Sequence, residues 1–311
     1  MKPLASGDLI SHFALRIYNS HTFVVFIKIL LYNQYIIKNV AHQGVENVNI
    51  HFLIRKFRYR KLKVLENYLA FAGDDNNYIH SEEFRILDSE LKEEAKEENL
   101  FSYLDEYDKI KEKYNIDGID TVDNDFEKAK AIMQWLTDNT YYCGMSFEIL
   151  PDDTLKMLEY SYQKGFSGAI NCRDKAIALT DLLLSHGIKA YPILLYNITK
   201  TDCHFVTHVY CKELEKWVVL DPSFNTYFTD ESGNILNIFG LRELKLQGKE
   251  PIANGYSFNK TQQAKDIYLK YFIGNGLARI STWKDNSNDG RKSKNMGKRK
   301  NFECRIPEGH R

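Results

Sequence analysis

The sequence predicts an α+β fold in which one helix packs on an antiparallel sheet, and four consecutive segments carry this prediction. From Cys172 onward, apolar residues recur at the three- and four-residue spacing of an amphipathic helix. Two β-type runs follow, an apolar one at 190–196 and an alternating one at 204–211. A third run, 217–220, is strongly β-forming and is closed by an Asp-Pro pair.

The predicted helix begins at a cysteine. Asn171 is a suitable N-cap, which places Cys172 in the first helical turn. There the free backbone N–H groups and the helix dipole favour a thiolate over a thiol. A small buried cysteine is the alternative interpretation, but a histidine and an aspartate downstream favour Cys172 as a nucleophile.

The last two strands are predicted to form a hairpin. A tight turn at 213–214 places His208 opposite Val219, with Asp221 diagonal to His208 on the same face. A one-residue change of register would move Asp221 to the other face. In the predicted register, Asp221 fixes the imidazole tautomer while the second ring nitrogen faces the thiol. The predicted catalytic residues are therefore Cys172, His208 and Asp221.

His204 is the alternative base because it shares the strand face of His208. It lies further from the hairpin turn, by about 13 Å along an extended strand, so His208 is the predicted partner of Asp221. Two cysteines on the same strand, Cys203 and Cys211, also suggest a zinc site by composition. Strand alternation sends both to the face opposite the histidines, and no metal site is predicted.

The block from about 123 to 222 resembles the transglutaminase-like superfamily. The matching features are the pattern W-L-x-x-N-x-x-Y at the end of a preceding helix, C-x-x-x-A-x-A-L-x-x-L-L in the cysteine helix, and the strand patterns H-V-Y and W-V-V-L-D-P-S. The resemblance implies a rearranged papain-like core. It also implies that Cys172 is the nucleophile, His208 the base and Asp221 the orienting acid.

Two positions depart from the pattern of that superfamily. Glycine often stands two residues before the nucleophile, where this chain has Ile170. Tryptophan often stands two residues after the histidine, where this chain has Tyr210. Neither departure removes a catalytic group, but both bear on the shape of the substrate groove.

The composition narrows the possible classes of protein and of partner. Of the 311 residues, 43% are hydrophobic and 13% aromatic, which suffices for a packed core, and the formal net charge of zero gives no indication of nucleic acid as a partner. The apolar stretch 23–31 is interrupted by Lys28 and is too short to span a membrane. Five cysteines do not indicate a disulfide framework, and a reducing cytoplasm is the predicted compartment.

Four regions are predicted along the chain: a β-rich accessory region at 1–73, an acidic helical connector at 74–122, a transglutaminase-like catalytic core at 123–283 and a basic polar tail at 284–311. The predicted activity is cysteine-dependent acyl transfer or hydrolysis at a carboxamide or peptide bond of a protein or peptide, through a thioester and without a cofactor. A non-catalytic peptide-binding module with the same fold is the alternative. The sequence predicts neither the acceptor nor the oligomeric state.

Overall fold

The computed structural model describes residues 90–91, 93–101, 106–142, 144, 154–197, 203–262, 265, 268–269, 273, 276–284 and 303–311. The predicted accessory region at 1–73 lies outside these residues, as do the start of the predicted connector and the middle of the predicted tail. In the described part the chain combines helices with one antiparallel sheet. The predicted α+β fold is confirmed.

The sheet has seven strands in the described part of the chain, in the spatial order β5-β4-β3-β2-β1-β6-β7. All neighbouring strands run antiparallel. The strands are β1 (Ala190–Tyr196), β2 (Cys203–Cys211), β3 (Lys216–Asp221), β4 (Thr226–Thr229), β5 (Ile252–Asn254), β6 (Arg279–Trp283) and β7 (Glu303–Cys304). The three strands that the sequence predicts, β1, β2 and β3, thus form the centre of the sheet.

The described α-helices precede the sheet, except for one that follows β4. They are α1 (Glu97–Leu100), α2 (Glu106–Lys113), α3 (Asp125–Asn139), α4 (Thr154–Lys164), α5 (Cys172–Ser185) and α6 (Ile238–Leu246). Among the described residues, no helix is both long and apolar enough to cross a bilayer.

Strand alternation divides β2 between two apolar layers. Val209 and Cys211 pack with the buried side chains of α2, α3 and α5. Val206 belongs to a different layer, which includes residues of α6 and of the C-terminal segment. The sheet is therefore covered on both faces, and the even-numbered residues of β2 face away from α5.

Helix α5 and strand β1 form a reversal that positions the start of the helix. Gly187, with φ of 74°, adopts a left-handed conformation that glycine tolerates best, and it ends α5 three residues before β1 begins. Fourteen helical residues span about 21 Å and seven strand residues about 23 Å. Because the two elements are similar in length, Cys172 lies near the far end of β1, where β2 starts.

Parts of the predicted connector and tail pack into this domain. Tyr107 and Ile110 of α2 are buried in the layer beneath α5. At the other end of the chain, β7 extends the sheet beside β6, and Ile306 is buried in the layer on the opposite face. The apolar residues Cys304 and Ile306 make this packing favourable in a segment that is otherwise polar. The predicted boundaries at 73, 122 and 283 stay predictions.

Candidate active site

The candidate nucleophile opens α5. Asn171 adopts an extended backbone, and its side-chain oxygen accepts a hydrogen bond from the N–H of Asp174 at 3.0 Å. This is the predicted N-cap, and it makes Cys172 the first residue of the helix. Cys172 is half-buried and packs against two apolar clusters, one that contains Val206 and one that contains Phe205 on the other face of β2.

Replacing this cap tests whether it supports the reactivity of Cys172 as well as the stability of the fold. We expect Asn171→Ala to lower the free energy of unfolding by about 1 kcal/mol and to slow alkylation of Cys172, because the first turn that carries the thiol frays. Asn237 is the matched control, since it caps α6 through a bond from the N–H of Gly240 at 2.7 Å. Asn237→Ala should cost similar stability in urea unfolding and leave the rate of iodoacetamide labelling unchanged. Equal labelling rates in the two variants would contradict this role of the cap.

A buried histidine–aspartate pair lies at the end of β3. His204 Nε2 and Asp221 Oδ2 are 2.7 Å apart, and the two side chains are 2% and 0% exposed. The carboxylate is held from two other directions: Oδ2 accepts the Tyr268 hydroxyl at 2.9 Å, and Oδ1 accepts the N–H of Ser223 at 2.9 Å. A carboxylate with three hydrogen bonds has a fixed orientation, so it also fixes the His204 ring.

The Cys172 thiol interacts with the same imidazole. Burial lowers the pKa of His204, but the negative charge and hydrogen bond of Asp221, together with the nearby Cys172 sulfur, outweigh burial and raise that pKa to about 10. The charged imidazolium is therefore favoured at neutral pH. Cys172, His204 and Asp221 thus form one group of interacting side chains.

His208 is not part of this group. Its Nδ1 is hydrogen-bonded to the Tyr191 hydroxyl at 2.9 Å, and its ring stacks on Trp217 with centroids 5.2 Å apart. Burial, with a smaller contribution from His310, lowers the pKa of His208 to about 3, so the ring is neutral. Asp221 bonds to His204 and not to His208, so the predicted contact between Asp221 and His208 is not formed. The catalytic role of His208 stays a prediction.

The predicted strand register is correct, and it leaves two equivalent diagonal neighbours of Asp221. His208 is paired with Val219, as predicted. Continuing this register places Val206 opposite Asp221, so His204 and His208 lie two residues to either side of that point. The signal that separates them was the reversal between α5 and β1. It brings Cys172 to the start of β2, beside His204 and about 13 Å from His208 along the strand.

Lys175, one helical turn after Cys172, was not predicted as a site residue. It is only 2% exposed, and its Nζ donates to the carbonyl oxygen of Thr140 at 3.5 Å. Burial lowers the pKa of Lys175 to about 7, and the Asp221 carboxylate opposes this shift. A lone lysine in an amphipathic helix gives no sequence signal of such a position, since most lysines are exposed.

The two strand cysteines face the side of β2 opposite to His204 and His208. Cys203 packs in the layer that contains Phe205, and Cys211 is buried in the layer beneath α5. Within the described ranges, no cluster of three or more histidine, cysteine, aspartate or glutamate side chains is arranged to hold a metal ion.

Fold and site together define a class: an α+β domain with a cysteine at a helix start and a histidine–aspartate pair on adjacent antiparallel strands. Residues 112–222 match the model of the transglutaminase-like superfamily, so the predicted family resemblance is confirmed for this part of the chain. This segment of the chain is similar to transglutaminase-like domains.

One solved structure is similar over part of its length. It is described as a "Putative Cysteine Protease" from Cytophaga hutchinsonii, with 22% sequence identity and a TM-score of 0.30. The similarity covers 37% of this chain, and the chain spans 37% of that protein. No curated protein matches the chain significantly.

Proposed function

We propose that this protein is a cysteine-dependent acyltransferase or hydrolase that acts on a carboxamide or peptide bond. Cys172 is the nucleophile, His204 the general base and acid, and Asp221 the residue that orients His204. The observation that carries the proposal is the 2.7 Å bond between His204 and Asp221, made by an imidazole that also interacts with the Cys172 thiol. His204 takes the role that the sequence assigned to His208.

The first half-reaction forms a thioester. A protonated imidazole beside a sulfur atom stabilises a thiolate in cysteine enzymes. The Cys172 thiolate attacks the carbonyl carbon, and the carbonyl electrons move to oxygen. When the tetrahedral intermediate collapses, the C–N bond breaks and His204 gives its proton to the departing amine. The products are a Cys172 thioester and a free amine, or ammonia from a carboxamide.

The second half-reaction releases the acyl group. His204, now neutral, removes a proton from water or from an amine as it attacks the thioester carbonyl. The C–S bond then breaks, which regenerates the thiolate and the imidazolium. Water gives hydrolysis and an amine gives transamidation, and the choice depends on which acceptor the site admits.

A mixture of glutamine-containing peptides, incubated with the protein with and without a primary amine, tests the proposal by mass spectrometry. We expect an acyl-enzyme mass on Cys172 and one of three product changes: deamidation, amine addition or chain cleavage. Each identifies a different acceptor or bond. Cys172→Ala is the control and should give none of them. Product formation by Cys172→Ala would refute the proposed nucleophile.

The alternative is a non-catalytic module that holds a peptide. It is disfavoured because a binding cleft has no need of a buried histidine–aspartate pair beside a half-exposed thiol. Alkylation separates the two hypotheses: an enzyme should label at Cys172 well below pH 8.5, about the value for an unperturbed thiol. A binding module should label no faster at Cys172 than at its other cysteines.

A further inference from the structure

The Asn259 side chain bonds to both backbone groups of Tyr142, as a neighbouring strand would. Asn259 Oδ1 accepts the Tyr142 N–H at 2.7 Å, and Asn259 Nδ2 donates to the Tyr142 carbonyl oxygen at 2.9 Å. Both backbone groups of one residue are therefore satisfied by one side chain. An amide is suited to this position because it carries a donor and an acceptor together.

The other edge of this segment borders the nucleophile. Tyr142 forms a parallel bridge with Ile170, and the Ile170 N–H donates to the Tyr141 carbonyl oxygen at 2.9 Å. Ile170 immediately precedes the cap residue Asn171. The chain of contacts from Asn259 through Tyr142 to Ile170 ends two residues before Cys172.

Neighbouring residues hold the same segment in place. The Tyr142 ring packs against Phe224 and Phe258, with centroids 5.4 and 6.1 Å apart. Asn259 itself has φ of 47°, in the left-handed region, which asparagine tolerates better than most residues. An unfavourable backbone conformation persists where surrounding structure requires it.

We infer that Asn259 is a positioning residue for Cys172. Its carboxamide fixes the 141–142 segment against Ile170 and thereby sets the backbone that leads into the first turn of α5. Asn259 lies outside the matched residues 112–222, so this support comes from the part of the chain that follows β5. The inference rests on the proposed function for the role of Cys172.

Asn259→Asp tests the inference because it keeps the size of the side chain and removes the donor. The new carboxylate faces the Tyr142 carbonyl oxygen and repels it. When that carboxylate is protonated at low pH, its O–H restores the lost donor. We expect Cys172 in this variant to react with iodoacetamide about 10- to 100-fold more slowly than in the native chain near neutral pH. The ratio of the two rates should recover as the pH falls towards about 4.

Asn254→Asp is the matched control. Asn254 also donates from its amide, to the Thr229 hydroxyl and the Ile252 carbonyl oxygen, and belongs to the β4–β5 edge. This variant should label within about twofold of the native rate at every pH. Asn259→Gly, which keeps the left-handed backbone and removes the carboxamide, should label slowly at every pH without acid recovery.

These outcomes separate the inference from the proposed function. If native Cys172 labels no faster than the other cysteines, the proposed function fails. If native Cys172 labels rapidly and Asn259→Asp and Asn259→Gly label equally fast, the inference fails while the proposed function stands. The inference also fails if Asn259→Asp labels slowly and the ratio of its rate to the native rate does not change with pH. Slow labelling that acid does not reverse indicates a general loss of structure. Thermal melting identifies such a loss in either variant.

Discussion

His204→Asn is expected to lower turnover by about 10²- to 10⁴-fold, the usual contribution of a general acid–base, whereas His208→Asn retains turnover close to the native value. Both residues lie on β2, face the same side and are buried. Only His204 bonds to Asp221 and interacts with the Cys172 thiol. Without the imidazole, the leaving amine receives no proton and the thiolate loses its counter-charge.

The pair of variants is a matched experiment because position, burial and substitution are nearly the same. Turnover should be measured per folded molecule, with the folded fraction taken from Trp fluorescence, and labelling of Cys172 should be followed in parallel. Loss of turnover in His208→Asn with native activity in His204→Asn would restore the assignment made from sequence and reject the site proposed from geometry. Loss in both at full folding would imply that the two histidines act together.

Acid is expected to destabilise the fold through His208. Burial lowers the pKa of its ring to about 3, against about 6.5 in an unfolded chain. Among the described residues, its buried Nε2 atom has no hydrogen-bond partner, so a proton there gains nothing to offset desolvation. The neighbouring groups do not stabilise a charged ring. The Tyr191 hydroxyl already bonds to Nδ1, and His310 bonds to the same hydroxyl. Burial lowers the pKa of His310 as well.

The sign follows from proton counting. Between pH 6.5 and pH 3 the unfolded chain binds a proton at His208 and the folded chain does not, so the free energy of unfolding falls as the pH falls. The slope from this one group reaches about 1.4 kcal/mol per pH unit. Stability from the neutral ring is fully present above about pH 6.5.

Urea unfolding of the native chain and of His208→Asn at several pH values between 4.5 and 7.5 measures this effect. Trp217 stacks on His208, so Trp fluorescence reports on the correct layer. The carboxylates contribute equally to the pH dependence of both proteins. The difference between the two pH dependences therefore reports on His208 alone. We expect the variant to show a slope smaller by about one proton. Parallel pH dependences would show that His208 is protonated in the folded state.

Local sequence was sufficient for the bounds of α5 and for the register of the β2–β3 hairpin. Asn171 caps α5 as predicted, because an N-cap bond spans only three residues. Gly187 ends α5 for an equally local reason. The hairpin between β2 and β3 has the predicted register because its short turn fixes the pairing.

The rest depended on groups that are distant in sequence. Tyr268 donates to Asp221, β7 pairs with β6, and Asn259 bonds to Tyr142. No periodic pattern in the sequence predicts any of these contacts. Each is made by a single side chain or a two-residue strand, so the sequence near it carries little information.

What the sequence by itself determined is the set of chemical groups and the elements that carry them: a cysteine at a helix start, two histidines on one strand face and an aspartate at the end of the next strand. What only the tertiary structure decided is which histidine bonds to Asp221. Two residues at equal distance from Asp221 in the strand register are equivalent until a third element approaches from one end. Helix α5 delivers Cys172 to the start of β2, and the pair formed there is His204 and Asp221.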